Sequence, residues 1–303
     1  MGQRVSFMND AALLQRIEEL ALDAGREILD VQRTGVTSES KADASPVTEA
    51  DRRAEAVILE GLRRSFPDIP CVAEEEASSG TLPRNIGGRF FLVDPLDGTK
   101  EFISGRPDFT VNIALIVDGV STIGVVYAPA KLSIYSGLPG HALRTNVSPD
   151  GDLYSRQSIH VRYSGPRPTI VASRSHCTAE TDAFIDLYPH SETTSVGSSL
   201  KFCLLASGRA DIYPRFGRTM EWDTAAGDAV LRAAGGCTLT FDGQSLNYGK
   251  RNQPDDVDFA NPWFIACGGD ELLAAEAASQ CLAIRSPKVP LAPPKVRREL
   301  AVT

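Results

Sequence analysis

A layered α+β fold is predicted for this 303-residue chain, and three observations predict it. Apolar residues recur at helical spacing near the start, at Leu13, Ile17, Leu20, Ala21, Ala24 and Ile28. Two β-branched runs, residues 110–117 and 120–127, are joined by Asp118-Gly119, the turn chemistry of an antiparallel hairpin. Strand and helix signals mix without the regular alternation of a parallel-sheet enzyme.

The first helix opens at Asn9 or Asp10. A polar loop from Lys41 to Pro46 follows, and Thr48-Glu49-Ala50-Asp51 reads as a capping box opening a second helix through Val57, Ile58 and Leu62. Pro67 and Pro70 end it. Phe90-Phe91-Leu92-Val93 is an apolar run suited to a buried strand. A second half begins near Pro149. There Ile170-Val171-Ala172, Ile212-Tyr213 and residues 237–241 read as strands, and residues 199–207, 224–234 and 271–281 as helices. Gly235-Gly236 closes the second of these helices. The expected organisation is an N-terminal α+β domain over 1–148, a C-terminal α/β domain over 149–284 and a proline-rich, basic, flexible tail over 285–303.

Composition narrows the function. The formal charge of -8 disfavours nucleic-acid polymers and anionic membranes as partners. No apolar run approaches the ~18 residues of a membrane span. The polar N-terminus lacks a secretory signal pattern, so the expected location is the cytoplasm. Six scattered cysteines, without a CxxC pair, read as free thiols of a reducing compartment.

The chemistry concentrates in acidic motifs. In Asp94-Pro95-Leu96-Asp97-Gly98-Thr99, two carboxylates stand three residues apart at a strand end, stiffened by proline and turned by glycine. Carboxylates held close repel, so one takes a proton or a cation sits between them, and hard oxygen donors suit magnesium or manganese. Alone, such a motif also fits an exposed strand-ending turn. Glu75 and Glu76, beside Glu74, fit a solvated face. Asp51 and Asp223 each fit a helix cap.

Taken together, Pro46-Val47-Thr48-Glu49-Ala50-Asp51, Ala73-Glu74-Glu75, Asp94 to Thr99 and Trp222-Asp223-Thr224-Ala225-Ala226-Gly227 closely resemble the inositol monophosphatase superfamily. The resemblance covers about residues 10–283. It implies the five-layer α/β/α/β/α sandwich of the inositol monophosphatase and fructose-1,6-bisphosphatase type, with metal-assisted phosphate hydrolysis. Carried over by position, Glu74, Asp94 and the Leu96 carbonyl match ligands of one metal, and Asp94, Asp97 and Asp223 those of a second. Glu74 is also placed to orient a third ion through waters. The implied cofactor is two or three Mg2+, with Mn2+ as a substitute. Asp51 and Thr99 match the pair that activates the attacking water, and Gly98 and Thr99 offer amides to a phosphate. Ala73 stands where glycine or serine is common.

Within that family, Lys100-Glu101-Phe102-Ile103, Gly197 to Phe202, Tyr213-Pro214-Arg215-Phe216-Gly217 and Ser173-Arg174-Ser175-His176 look like bacterial, CysQ-type bisphosphate nucleotidases. This implies hydrolysis of adenosine 3',5'-bisphosphate to AMP and phosphate, linked to sulfur assimilation, and lithium sensitivity. The substrate is then a small 3',5'-bisphosphorylated nucleotide. The substrate set is Gly98, Thr99, Lys100, Ser173, His176, Ser199, Lys201, Arg215 and Asp223, in a monomer or homodimer. Arg215 suits a second phosphate by a bidentate contact, with Lys201 beside it. A surface ion pair is the other reading of Arg215, and a loop cap or core position that of His176. A broader inositol or sugar phosphatase, and a non-catalytic nucleotide or metal sensor, are the competing functions.

Overall fold

A computed structural model describes residues 10–41, 46–165, 167–173, 178–269 and 271–285. His176 and residues 286–303 of the tail lie outside the described residues.

Five layers stack in the order helix, sheet, helix, sheet, helix. The outer helical layer pairs α1 (Asp10–Thr34) with α2 (Glu49–Ser65). On α1 the apolar positions of the sequence pattern, Leu13, Ile17, Leu20, Ala21, Ala24 and Ile28, are all buried. They face a seven-stranded sheet of β3 (Cys71–Ala73), β4 (Arg89–Asp97), β5 (Thr110–Val117), β6 (Val120–Ala128), β7 (Ser133–Leu138), β8 (His141–Val147) and β9 (Leu153–Ser158), in sequential order. The Asp118-Gly119 hairpin joins β5 to β6 as expected, with both residues at positive φ. Strand β1 (Ser38–Ser40) pairs antiparallel with β2 (Pro46–Thr48) apart from this sheet.

The central layer is α6 (Leu200–Ala206) and α7 (Ala225–Ala233). Helix α7 lies close on the first sheet because glycine meets it there. A Cβ on Gly124 would stand 2.5 Å from the Ala226 carbonyl oxygen, and one on Gly137 2.8 Å from Val230 Cα. Beyond it a five-stranded sheet runs β11 (Glu192–Val196), β10 (Thr169–Ser173), β12 (Ile212–Arg215), β14 (Phe264–Cys267), β13 (Cys237–Thr240). Helices α5 (Ala179–Asp186) and α8 (Glu271–Arg285) cover its far face. Three hydrophobic clusters fill the spaces between layers, and the central strands of each sheet, such as β5 and β14, are buried on both faces.

The elements outside the sequence reading are the polar or short ones. Strand β9 is exposed at every position, and β8 carries His141, Arg144, Thr145 and Asn146. Neither offers a clean apolar alternation, and pairing in the sheet decides them. Cys71, Cys203 and Cys281 are buried free thiols.

Candidate metal and phosphate site

Topology gathers the acidic motifs. Strands β3 and β4 are parallel neighbours, so their C-terminal ends lie side by side. Glu74 begins α3 (Glu74–Ser78) straight off β3, and Asp94 and Asp97 close β4. The register of β4 on β5 slips between Asp94 and Asp97, a bulge that separates the two carboxylates along the strand. Gly98 then turns the chain into α4 (Thr99–Ile103) at φ +95°. A Cβ there would meet the Asp108 carbonyl oxygen at 3.1 Å, so both the φ and the space call for glycine. Asp223 arrives from the other half, in a 3-10 turn (Glu221–Asp223) ahead of α7.

One cavity of about 240 Å³ is lined by Glu74, Asp94, the Leu96 backbone, Asp97, Thr99 and Asp223. Its walls also include Gly98, Lys100, Ser173, Ser199, Lys201 and Arg215. Thus every described residue of the expected metal and substrate sets lines a single space, while Asp51 stands just behind Thr99. Asp51 is 1% exposed. Its Oδ2 accepts the Thr48 backbone N–H at 2.7 Å and the Thr48 hydroxyl at 2.6 Å, and its Oδ1 lies 3.2 Å from the Thr99 hydroxyl. The Thr99 hydroxyl also reaches the Leu96 carbonyl, at 3.1 Å. Asp51 is therefore both the capping-box residue of α2 and the partner of a cavity threonine. Asp223 doubles in the same way, accepting the Met220 N–H at 2.8 Å.

Ser199 ties the two halves together. Its N–H and hydroxyl reach Asp97 Oδ2 at 2.6 and 2.9 Å, and its Oγ lies 2.7 Å from the Asp223 carbonyl. Asn112 donates to both Ser199 Oγ and Asp97 Oδ2. No three His, Cys, Asp or Glu side chains among the described residues form a closed ligand set, and each of the four cavity acids meets a protein donor. For Glu74 that donor is the Lys41 ammonium at 2.6 Å, which also holds Glu75 at 2.6 Å.

The electrostatics show what the acids lack. Burial raises the pKa of Asp94 well above the usual carboxylate range, and repulsion from Glu74, Asp97 and Asp223 raises it further. Burial, then Asp97 and Glu74, pushes Asp223 up to about 8. Glu74 and Asp97 are raised chiefly by burial, opposed by Lys41 and Lys201 respectively. Buried, mutually repelling oxygen donors of this kind fit a hard divalent cation, which relieves both burial and repulsion at once.

Basic side chains line the same cavity. Lys201, 5% exposed, donates to the Ser198 carbonyl at 2.5 Å and lies over the Tyr213 ring. Burial lowers its pKa to about 8, with Asp97 opposing the shift and Arg215 adding to it. Arg215, 8% exposed, is held by the carbonyls of Gly217 and Arg218 at 3.1 and 3.0 Å, so it is no surface ion pair. Arg218 lines the cavity too, tied to Asp256 at 3.3 Å.

Several of these residues escape motif reading. Lys41 sits in a loop readable only as polar. Asn112 does leave a signal, as an amide inside an apolar strand run. Glu221, 0% exposed, accepts the N–H groups of Gly249 and Lys250 at 2.6 and 2.9 Å, so residues 249–250 brace the turn that carries Asp223.

The comparisons with known proteins agree with this geometry. The model of the inositol monophosphatase family matches residues 10–279. The chain is similar to the 3'(2'),5'-bisphosphate nucleotidase CysQ of Escherichia coli strain K12, 45% identical over 254 residues, which are 83% of this chain and 98% of that protein. It is also similar to the CysQ of Buchnera aphidicola, 40% identical over 84% of this chain and 93% of that one. Among solved structures, CysQ from Bacteroides thetaiotaomicron superposes with a TM-score of 0.69 at 35% identity, covering 88% of this chain and all of that one. The Thermotoga maritima IMPase superposes at 0.71 and 25% identity, covering 90% and 97%. With the layers, the four acidic motifs and these relatives in agreement, the chain belongs to the inositol monophosphatase family and is a phosphatase.

Proposed function

We propose that this protein is a 3'(2'),5'-bisphosphate nucleotidase that removes the 3'-phosphate of adenosine 3',5'-bisphosphate, leaving AMP, and so serves sulfur metabolism. The observation that carries the reading is the composition of one cavity, lined by the four acids Glu74, Asp94, Asp97 and Asp223 and also by Lys201, Arg215 and Arg218. Such a cavity suits a ligand with two separated phosphates, one met through cations on the acids and the other met directly by the basic side chains. The CysQ relatives carry that activity in their names.

Enzymes of this family are generally Mg2+-dependent. Here Glu74, Asp94, the Leu96 carbonyl, Asp97 and Asp223 would hold two or three Mg2+ ions, with Mn2+ able to substitute. Bound there, the metal would lower the pKa of a water and offset charge on the phosphate and the leaving oxygen. The residues do the rest. The Thr99 hydroxyl, directed to Asp51 Oδ1, keeps its lone pairs toward the cavity and receives the proton of the attacking water, passing its own to Asp51. Burial raises the Asp51 pKa, with the Thr48 bonds opposing, which makes it a better base than an exposed aspartate. Gly98 and Thr99 present backbone amides to the phosphate, and Lys100 and Ser173 complete the rim. Ser199 bridges Asp97 to the Asp223 carbonyl and acts on substrate through them.

Phosphate release with Mg2+ from adenosine 3',5'-bisphosphate and from inositol 1-phosphate, at equal concentration, tests the assignment. A preference of about a hundredfold or more in kcat/KM for the nucleotide is expected, since one lost charged contact is worth a few kcal/mol. A preference for inositol phosphate would leave a phosphatase but remove the nucleotide.

The raised carboxyl pKa values also predict a pH-dependent stability. Groups such as Asp223, at about 8 when folded, bind protons more tightly folded than unfolded. Their contribution is therefore complete below about pH 4 and is lost as pH rises through the folded pKa. The chelator-treated protein should melt lower at pH 8 than at pH 5, losing on the order of 1.4 kcal/mol per pH unit for each such proton. Mg2+ should restore more stability at pH 8 than at pH 5. Differential scanning calorimetry at the two pH values checks this, and an equal Mg2+ effect at both would contradict it.

A further inference from the structure

Helix α2 carries two buried acids one turn apart, Asp51 and Glu55, at 1% and 6% exposure. Residues four apart share a helix face. Asp51 turns to Thr99, whereas Glu55 turns to the start of α3. Its Oε2 accepts the Glu75 N–H at 2.8 Å, and its Oε1 accepts the Glu76 N–H at 3.0 Å.

Helix α3 has five residues, and its N-cap is Ala73, with no side-chain cap bond. A helix this short does not hold itself, and its first amides need partners from outside. Alanine cannot supply one, so Glu55 does so from a neighbouring helix, with one carboxylate spanning two successive amides. Glu74 is the first residue of α3, immediately before those amides. The other ion pairs on α3 are Lys41 to Glu74 and to Glu75, at 2.6 Å each and on the side chains rather than the helix amides, and Arg63 to Glu76 at 2.7 Å, the last with Arg63 about half exposed. Exposed pairs of that kind hold weakly.

We propose that Glu55 is a positioning residue for Glu74: by capping α3 in trans it fixes where the Glu74 carboxylate enters the cavity. One face of α2 then sets both the proton-accepting pair, through Asp51, and a cation ligand, through Glu55. The inference rests on the reading of Glu74 as a cation ligand.

The test measures Mn2+ binding to the full chain after chelator treatment, by the electron paramagnetic resonance signal of unbound Mn2+, in wild type, Glu55→Gln, Glu55→Ala and Glu74→Gln. Glutamine keeps one acceptor and turns a donor toward the other amide. Loss of a supporting partner weakens metal affinity by about 10- to 100-fold. Glu55→Gln is thus expected near the low end and Glu55→Ala near the high end, with Glu74→Gln at least as impaired. The Mg2+ concentration for half-maximal phosphatase activity should rise in step, while KM for substrate at saturating Mg2+ stays within about twofold, because substrate contacts are untouched. If Glu55→Ala does not fold, the isosteric Glu55→Gln carries the comparison. Wild-type Mn2+ affinity in Glu55→Gln, beside impaired Glu74→Gln, overturns the proposal and leaves Glu55 a structural cap. Wild-type affinity in Glu74→Gln overturns the ligand reading itself, and the proposal with it.

Discussion

Asp94→Asn is expected to lower kcat by about a thousandfold or more, a loss of ~4 kcal/mol of transition-state stabilisation, while making the chelator-treated protein more stable. Asp94 is the most burdened of the acids, buried and repelled by Glu74, Asp97 and Asp223 together. Its bond to the backbone has Oδ1 accepting the Leu96 N–H at 3.0 Å. An asparagine carbonyl can keep that bond. What disappears is the charge, and removing a buried, repelled charge stabilises by about 1–3 kcal/mol. A residue kept only for the fold would respond in the opposite way, with stability falling and activity following it. Steady-state kinetics and thermal melts on the same preparation decide between them. More than a tenth of wild-type activity, or a lower melting temperature after chelation, would remove Asp94 from the proposed cation site.

Arg215→Ala is expected to be selective. Hydrolysis of adenosine 3',5'-bisphosphate should fall by about a hundredfold in kcat/KM, since truncating one partner of a buried charged contact costs about 2–5 kcal/mol. Hydrolysis of a simple monophosphate should change less than about threefold, within ~0.7 kcal/mol. Arg215 is the last residue of β12 and lines the cavity together with Lys201. Its guanidinium is held by two backbone carbonyls, so its orientation is set before any ligand arrives. Its own backbone pairs with Phe264 of β14, which limits collapse of the variant. Equal losses on both substrates would mean that Arg215 supports the wall and grips no second phosphate.

Much of this was legible in the chain because it depends on near neighbours. The capping box Thr48–Asp51, the apolar face of α1 and the Asp118-Gly119 hairpin are local arrangements, and local propensity places them. The acidic motifs are local as well, since each needs a strand end or a helix start and the sequence shows both. The cap positions of Asp51 and Asp223 do not exclude a place at the site: each caps its own helix or turn, while Asp223 lines the cavity and Asp51 meets Thr99, which lines it.

Tertiary structure decided the rest, because the remaining contacts join residues far apart in sequence. Only the parallel pairing of β3 and β4 brings Glu74 beside Asp94, and only the start of α6 brings Ser199 to Asp97, 102 residues away. The polar strand β8 and the exposed strand β9 have no clean apolar alternation of their own and exist through their neighbours in the sheet. Glu55 is the clearest case. In sequence it is one more acid on a charged helix, indistinguishable from Glu60. In space it meets two amides that α3 cannot satisfy alone, and burial leaves it no solvent to prefer. The sequence by itself determined which acids this protein has and how each is locally held. The packing of five layers determined that they line one cavity together with arginine and lysine.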